Sequence, residues 1–189
     1  MKAEIQNKVA ATTSHYAQYG SFKDVFKLDN EGYKVINGVK THIATIREFP
    51  KRYAPSLSPM ENKLLTAEQE FYDGVTDYWK RNNIPINELQ LNPEQVYRHR
   101  KYYGRRDPVT GEVEYASLGS PMKGRSSRYE NVEQLLKDGY LPASAEAGNE
   151  ELIRSLYNYV AQRDYSHYLL DRLPFEMMTA PESVKVAAK

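Results

Sequence analysis

Cysteine is absent from the 189 residues. Its absence excludes a disulfide framework, a cysteine nucleophile, thiolate zinc and iron–sulfur ligation. It leaves the redox compartment open, because a chain without thiols tolerates either condition. No apolar run approaches the roughly 20 residues needed to cross a bilayer. The opening MKAEIQNKVAATTSHYAQYG lacks the continuous apolar stretch of a secretory signal. The expectation is a soluble, intracellular protein without membrane contact. P-loop, G-x-G-x-x-G and G-x-S-x-G patterns are missing, and the four histidines show no H-x-H, H-x-x-x-H or H-E-x-x-H spacing. Neither a metal nor a cofactor is expected. A net charge of +1 is too small for the strong field of a dedicated DNA binder.

Charge is unevenly spread along the chain. Residues 1–96 balance 12 basic against 12 acidic groups, residues 97–128 carry 8 against 3, and residues 129–189 carry 6 against 10. A basic middle is therefore followed by an acidic end. Tyrosine is the other excess, at 16 residues beside a single tryptophan. Tyrosines give amphipathic contact area at low entropic cost, which suits interfaces; they also serve as half-buried core.

The pattern of elements predicts an α+β protein, mostly helical, with two β-hairpins packed against two or three long helices. Residues 1–20 read as an arm or docked helix, 21–178 as a single domain and 179–189 as a flexible tail. Asn37-Gly38 between β-prone runs in Tyr33–Ile46 marks a two-residue type I′ hairpin. Ser58, Pro59 and Glu61 form a capping box with proline at the first helical position. The stripe Leu64, Ala67, Phe71, Val75, Tyr78 then marks a buried face up to Asn82-Asn83. A second hairpin is expected from Tyr97 to Leu118, turning at Asp107-Pro108 and Gly111. Asn131 and Gln134 suggest another capped helix, stopped by Gly139. A final helix is expected from about Glu150 to Leu173, ended by Pro174, with Leu152, Ile153, Leu156, Tyr159, Val160, His167 and Leu170 on its apolar face.

The most distinctive segment is Tyr97–Arg106, with Arg98, Arg100, Lys101, Arg105 and Arg106 interleaved with Tyr97, Tyr102 and Tyr103. Guanidinium groups fork onto phosphate or carboxylate oxygens, and tyrosine faces stack on exposed bases. Strand alternation would set Arg98, Arg100, Tyr102 and Arg106 apart from His99, Lys101, Tyr103 and Arg105. Lys123, Arg125 and Arg128 extend the basic set in a Gly/Ser loop. These residues either contact a nucleic acid or an acidic partner, or pair internally with the acidic third of the chain. His99 with Glu112 across the hairpin would allow a metal-independent ribonuclease or toxin-like enzyme. Arg163 and His167, four apart, read as a satisfied polar pair on an apolar face. Glu68/Glu70, Asp73/Asp77 and Glu112/Glu114 read as ordinary exposed carboxylates, so no catalytic residue is assigned.

From Tyr53 the chain runs Y-A-P-S-L-S-P-M-E, an amphipathic helix to Trp79, Y-R-H-R, G-R-S-S-R-Y-E-N-V-E-Q-L-L-K-D-G-Y-L-P and a closing L-L-D-R-L-P-F. This series, over roughly 120 residues, resembles linker-like helical segments of large multi-domain proteins of tailed phages and mobile elements. The resemblance implies a phage or mobile-element origin, a place in the host-cell cytoplasm or in a virion, and a non-catalytic packing or binding role. The expected function is a non-enzymatic interaction protein, engaging a protein or nucleoprotein through its basic, Tyr-rich hairpin. A structural virion component contacting packaged genome is the alternative.

Overall fold

The computed structural model describes residues 2–84, 94–99, 101–115 and 132–179, with backbone alone for 2–5 and 169–179. Arg100, Lys123, Arg125, Arg128 and Asn131 lie outside the described residues, as does the tail beyond Thr179. The fold is α+β and mostly helical, with two small antiparallel sheets. The chain divides into two compact units, residues 1–153 and 154–189. That boundary falls inside the closing helix, within the stretch the pattern assigned to one domain.

In the first unit, α1 (Lys2–Ala17) is a docked helix. Val9 and Tyr16 are buried, and the Tyr16 ring meets Phe71 edge-on at 5.4 Å. Gly20 ends the turn that follows, at φ 101°. Ser21 caps α2 (Phe22–Phe26), whose two phenylalanines stack in the core. Strands β1 (Tyr33–Ile36) and β2 (Val39–His42) pair with Ile36 opposite Val39. Asn37 and Gly38 take φ of 51° and 81°, as a type I′ turn requires. The hairpin ends at His42, four residues earlier than the pattern suggested. There the imidazole Nδ1 accepts the Ala44 N–H at 3.0 Å and caps α3 (Ile43–Glu48).

The short helix α4 (Pro50–Tyr53) and a turn of 3-10 helix (Ala54–Ser56) lead into α5 (Pro59–Arg81). The capping box is present: the Ser58 N–H donates to the Glu61 carboxylate at 2.7 Å, and the Glu61 N–H donates to Ser58 Oγ at 3.3 Å. Lys34 of β1 also donates to Glu61, tying the first hairpin to the start of α5. Leu64, Ala67, Phe71 and Val75 face the core as expected, while Tyr78 is only half-buried.

Three strands form the second sheet in the order β4 (Val113–Tyr115), β3 (Tyr102–Arg106), β5 (Tyr140–Pro142). The second hairpin thus starts at Tyr102 and not at Tyr97, its expected end at Leu118 lies outside the described residues, and residues 97–99 carry Arg98 into the core. A register irregularity between Tyr102 and Gly104 breaks the simple alternation expected of the arginines and tyrosines. Helix α6 (Val132–Lys137) precedes β5 and is closed by Gly139 at φ 83°. The closing helix α7 (Ala145–Thr179) starts earlier than expected. Ser144 Oγ accepts the Ala147 N–H at 3.2 Å, so the small-residue stretch before Glu150 is its capped first turn. It also continues past Pro174, since a proline removes one backbone hydrogen bond without necessarily ending a helix. In the second unit Tyr159, Tyr165 and Tyr168 are exposed, as is His167, while Arg163 pairs with its neighbour Asp164 at 2.9 Å. The expected buried Arg163/His167 pair is therefore not formed.

The Arg106 N–H donates to the Gly139 carbonyl at 2.7 Å, and a Cβ on Gly139 would lie 1.9 Å from the Arg106 carbonyl oxygen. Gly111 has a similar φ of 75°, with nothing within 4 Å of its Cβ position. Gly139→Ala is therefore expected to lower the free energy of urea unfolding by at least about 2 kcal/mol more than Gly111→Ala. Equal losses would show that the close approach of the two backbones carries no weight.

Candidate functional site

The basic segment divides between the core and the surface. Arg98 is 5% exposed. Its Nε donates to Glu68 Oε2 at 3.2 Å, its Nη1 to Gln69 Oε1 at 3.0 Å and to the Tyr97 carbonyl at 2.8 Å. Its guanidinium also lies 4.7 Å from the Tyr72 ring centroid. Glu68 is fully buried and takes a second guanidinium from α3, with Arg47 Nη2 at 2.5 Å and Nε at 3.0 Å. Asn149 of α7 completes the cluster: its Nδ2 donates to Glu68 Oε1 at 2.8 Å, and its Oδ1 accepts from the Tyr72 hydroxyl at 2.7 Å. The reading of Glu68 as an exposed carboxylate is corrected; Glu70 is exposed, and it pairs with His15 at 2.5 Å. Arg98, expected on a binding face, is buried and shares Glu68 with Arg47.

The electrostatics follow from burial. Desolvation pushes the Glu68 carboxyl upward, but Arg47 and Arg98 outweigh it and hold the group below the ordinary carboxylate range. Desolvation likewise raises the Tyr16 phenol to about 12. His99 is pushed down by burial, and its backbone N–H donates to the Tyr72 hydroxyl at 2.9 Å. The His99–Glu112 pair is not assembled. Strand pairing begins at Tyr102, and Glu112 is exposed in the turn, where its carbonyl accepts the Asp107 N–H at 2.8 Å.

The remaining described cations also have internal anions or acceptors. Lys101 pairs with Glu151 at 3.0 Å. Arg105 Nε donates to the Asp138 carbonyl at 2.9 Å, and its guanidinium lies over Tyr140. Arg106 is the loosest, half exposed and 3.7 Å from Glu31. Tyr102 of the predicted set is buried with Leu135 and Tyr140. The hairpin turns two other aromatic rings outward. Tyr103 and Tyr115, 48% and 70% exposed, stack with centroids 6.5 Å apart and planes at 22°. Tyr115 fits there because Gly104 opposite it has no side chain: a Cβ would lie 2.8 Å from the Glu114 carbonyl and 3.5 Å from the Tyr115 ring.

Beside this face, a groove of about 290 Å³ opens between the first hairpin and the β3–β5 ladder, with Tyr33, Tyr103, Tyr140 and Arg106 among its lining. Sequence reasoning did not find it, because its two walls come from hairpins some 60 residues apart. His42 stiffens one wall: besides capping α3, its Nε2–H donates to the Glu31 carbonyl at 3.1 Å. Among the described residues no group of three His, Asp or Glu side chains is placed to hold a metal. No described helix is long and apolar enough to cross a membrane.

Burial lowers the His42 pKa to about 4, from about 6.5 in a free side chain. Between those values the unfolded chain binds the extra proton, so this part of the stability is present above pH 6.5 and lost as pH falls toward 4. Urea unfolding is expected to show a loss of about 2 kcal/mol from this group between about pH 7.5 and about pH 5. His42→Asn, which can still cap α3, is expected to flatten the slope; an unchanged slope would show that His42 is not the titrating group.

Compared with known proteins, the chain matches no family model, no curated protein and no solved structure.

Proposed function

We propose that this chain is a non-enzymatic interaction protein that docks on a protein partner through the β3–β4 hairpin. The observation that carries the reading is the exposed Tyr103–Tyr115 stack beside a basic segment whose described cations, Arg106 apart, already have internal partners. A phosphate-binding surface needs several uncommitted guanidinium or ammonium groups. A protein interface instead needs amphipathic aromatic area rimmed by a few charges, with Tyr and Arg as its usual energetic anchors. Tyr103, Tyr115 and Arg106 supply that combination. The resemblance to phage and mobile-element segments points the same way, to a binding role in a phage or mobile-element setting.

The exposed tyrosines of the second unit, Tyr159, Tyr165 and Tyr168, favour a second reading, in which the chain is a structural virion component assembling through that helix. Sedimentation of purified protein separates the two. Concentration-dependent oligomers lost in Tyr165→Ser/Tyr168→Ser support assembly, and a monomer supports hairpin docking.

The direct test compares capture of a partner from host extract by wild type and by Tyr103→Ser/Tyr115→Ser, alongside binding of fluorescent RNA and DNA over a salt series. The expected result is a discrete protein band lost in the double variant, with no salt-steep nucleic-acid binding. Micromolar nucleic-acid affinity that falls steeply with salt and is lost in Arg106→Gln would replace the protein-partner reading with a phosphate-binding one.

A further inference from the structure

The groove beside the stack holds a cation and an anion that face one another without closing a hydrogen bond. The Arg106 guanidinium is half exposed, and its nearest carboxylate, Glu31, is 3.7 Å away, beyond the range of a formed N–H···O bond. Among the described residues no hydrogen bond reaches the Arg106 side chain. Glu31 is 59% exposed and divides its charge with Lys40, which stands 3.8 Å from it and 3.0 Å from Asp29. Asp29 is thus paired with Lys40, and among the described residues Glu31 is the carboxylate within 4 Å of Arg106.

The backbones that present these two groups are held firmly. The Arg106 N–H is fixed on the Gly139 carbonyl, and the Glu31 carbonyl is fixed on the His42 imidazole. Gly32 keeps that second contact close: a Cβ there would lie 2.8 Å from His42 Nε2. The lining is mixed: Leu136, Leu141 and Pro142 share it with Asn30, Glu31 and His42. A groove that sets a guanidinium without a closed hydrogen bond among a few apolar side chains fits a carboxylate borne next to an apolar side chain.

We propose that this groove receives an acidic peptide segment of the partner, whose carboxylate takes Arg106 in place of Glu31 while the adjoining apolar side chain lies on Leu136, Leu141 and Pro142. The proposal rests on the protein-partner reading and names the chemistry the groove selects. Glu31 is then an internal competitor that weakens binding in the free protein. Removing it should strengthen binding, an outcome that a merely structural Arg106–Glu31 contact does not produce.

The test titrates purified full-length protein with N-acetyl-phenylalanine, a carboxylate beside an apolar ring, and follows backbone amide NMR shifts. N-acetyl-phenylalaninamide serves as the uncharged control and uridine monophosphate as the phosphate arm. Millimolar, saturable binding at Tyr103, Arg106 and Leu141 is expected for the carboxylate and not for the amide. Glu31→Gln is expected to tighten it about threefold, and Arg106→Gln to weaken it about fivefold. Thermal midpoints of both variants check that they fold, and Arg106→Lys provides a charge-conserving variant expected to recover only part of the affinity, because the fork is lost. Equal binding of the amide, no binding even to Glu31→Gln, or tighter binding of uridine monophosphate that depends on Arg106 would each overturn the proposal. Tyr115→Ser, outside the groove, is expected to leave probe binding intact while removing partner capture, so failure of this proposal and failure of the hairpin reading remain distinguishable.

Discussion

The carboxylate of Glu68 holds the first unit together. It lies fully inside the protein and binds two guanidinium groups and an amide that come from different parts of the chain: Arg47 from α3, Arg98 from the segment before β3, and Asn149 from the start of α7. Charges of this kind are costly to bury, and they persist only when the geometry leaves few lone pairs and protons unmatched. Hydrophobic contacts around Tyr16, Phe22, Leu64 and Phe71 supply the non-directional part of the stability. The Glu68 cluster supplies direction, because its bonds form only where α3, α5, residues 97–99 and α7 meet in this arrangement.

That cluster also decides what remains for the surface. With Arg98 drawn inward, residues 97–99 leave the sheet, β3 starts at Tyr102, and the irregular register beyond it turns Tyr103 outward next to Tyr115. Lys101 and Arg105 are tied to Glu151 and the Asp138 carbonyl. Among its described residues, the segment that looked like an electrostatic surface presents an aromatic pair with one loosely held arginine, Arg106, at its edge. The groove beside it follows from the same placement, since β3 brings Arg106 opposite the Asn30–Glu31 turn that precedes the first hairpin.

Local chemistry was legible where it is contained in a few consecutive residues. The Asn37-Gly38 turn, the Ser58–Glu61 box, the Leu64–Val75 stripe and the Gly139 stop all appear as expected. The fold class follows from their sum. The failures concern polar residues whose role depends on distant partners. Glu68 sits at helical spacing from both Leu64 and Phe71, so its burial was readable, yet a carboxylate is assigned to solvent by default until a partner such as Arg47 is known. Arg98 looked like one of an alternating set because strand geometry was extended too far toward Tyr97. His42 ended its strand by capping α3, a role that its imidazole fills less often than Ser, Asp or Asn. The groove had no local signature, because it exists only once the two hairpins are side by side.

The account stands on Arg98 being an interior residue and Arg106 a surface one, and equilibrium urea unfolding of Arg98→Ala beside Arg106→Ala tests this most directly. Breaking a buried ion pair from one side leaves Glu68 short of a partner, and the expected loss for Arg98→Ala is about 3–5 kcal/mol, against no more than about 0.5 kcal/mol for Arg106→Ala. An Arg98→Ala protein as stable as wild type would place Arg98 on the surface and contradict the account.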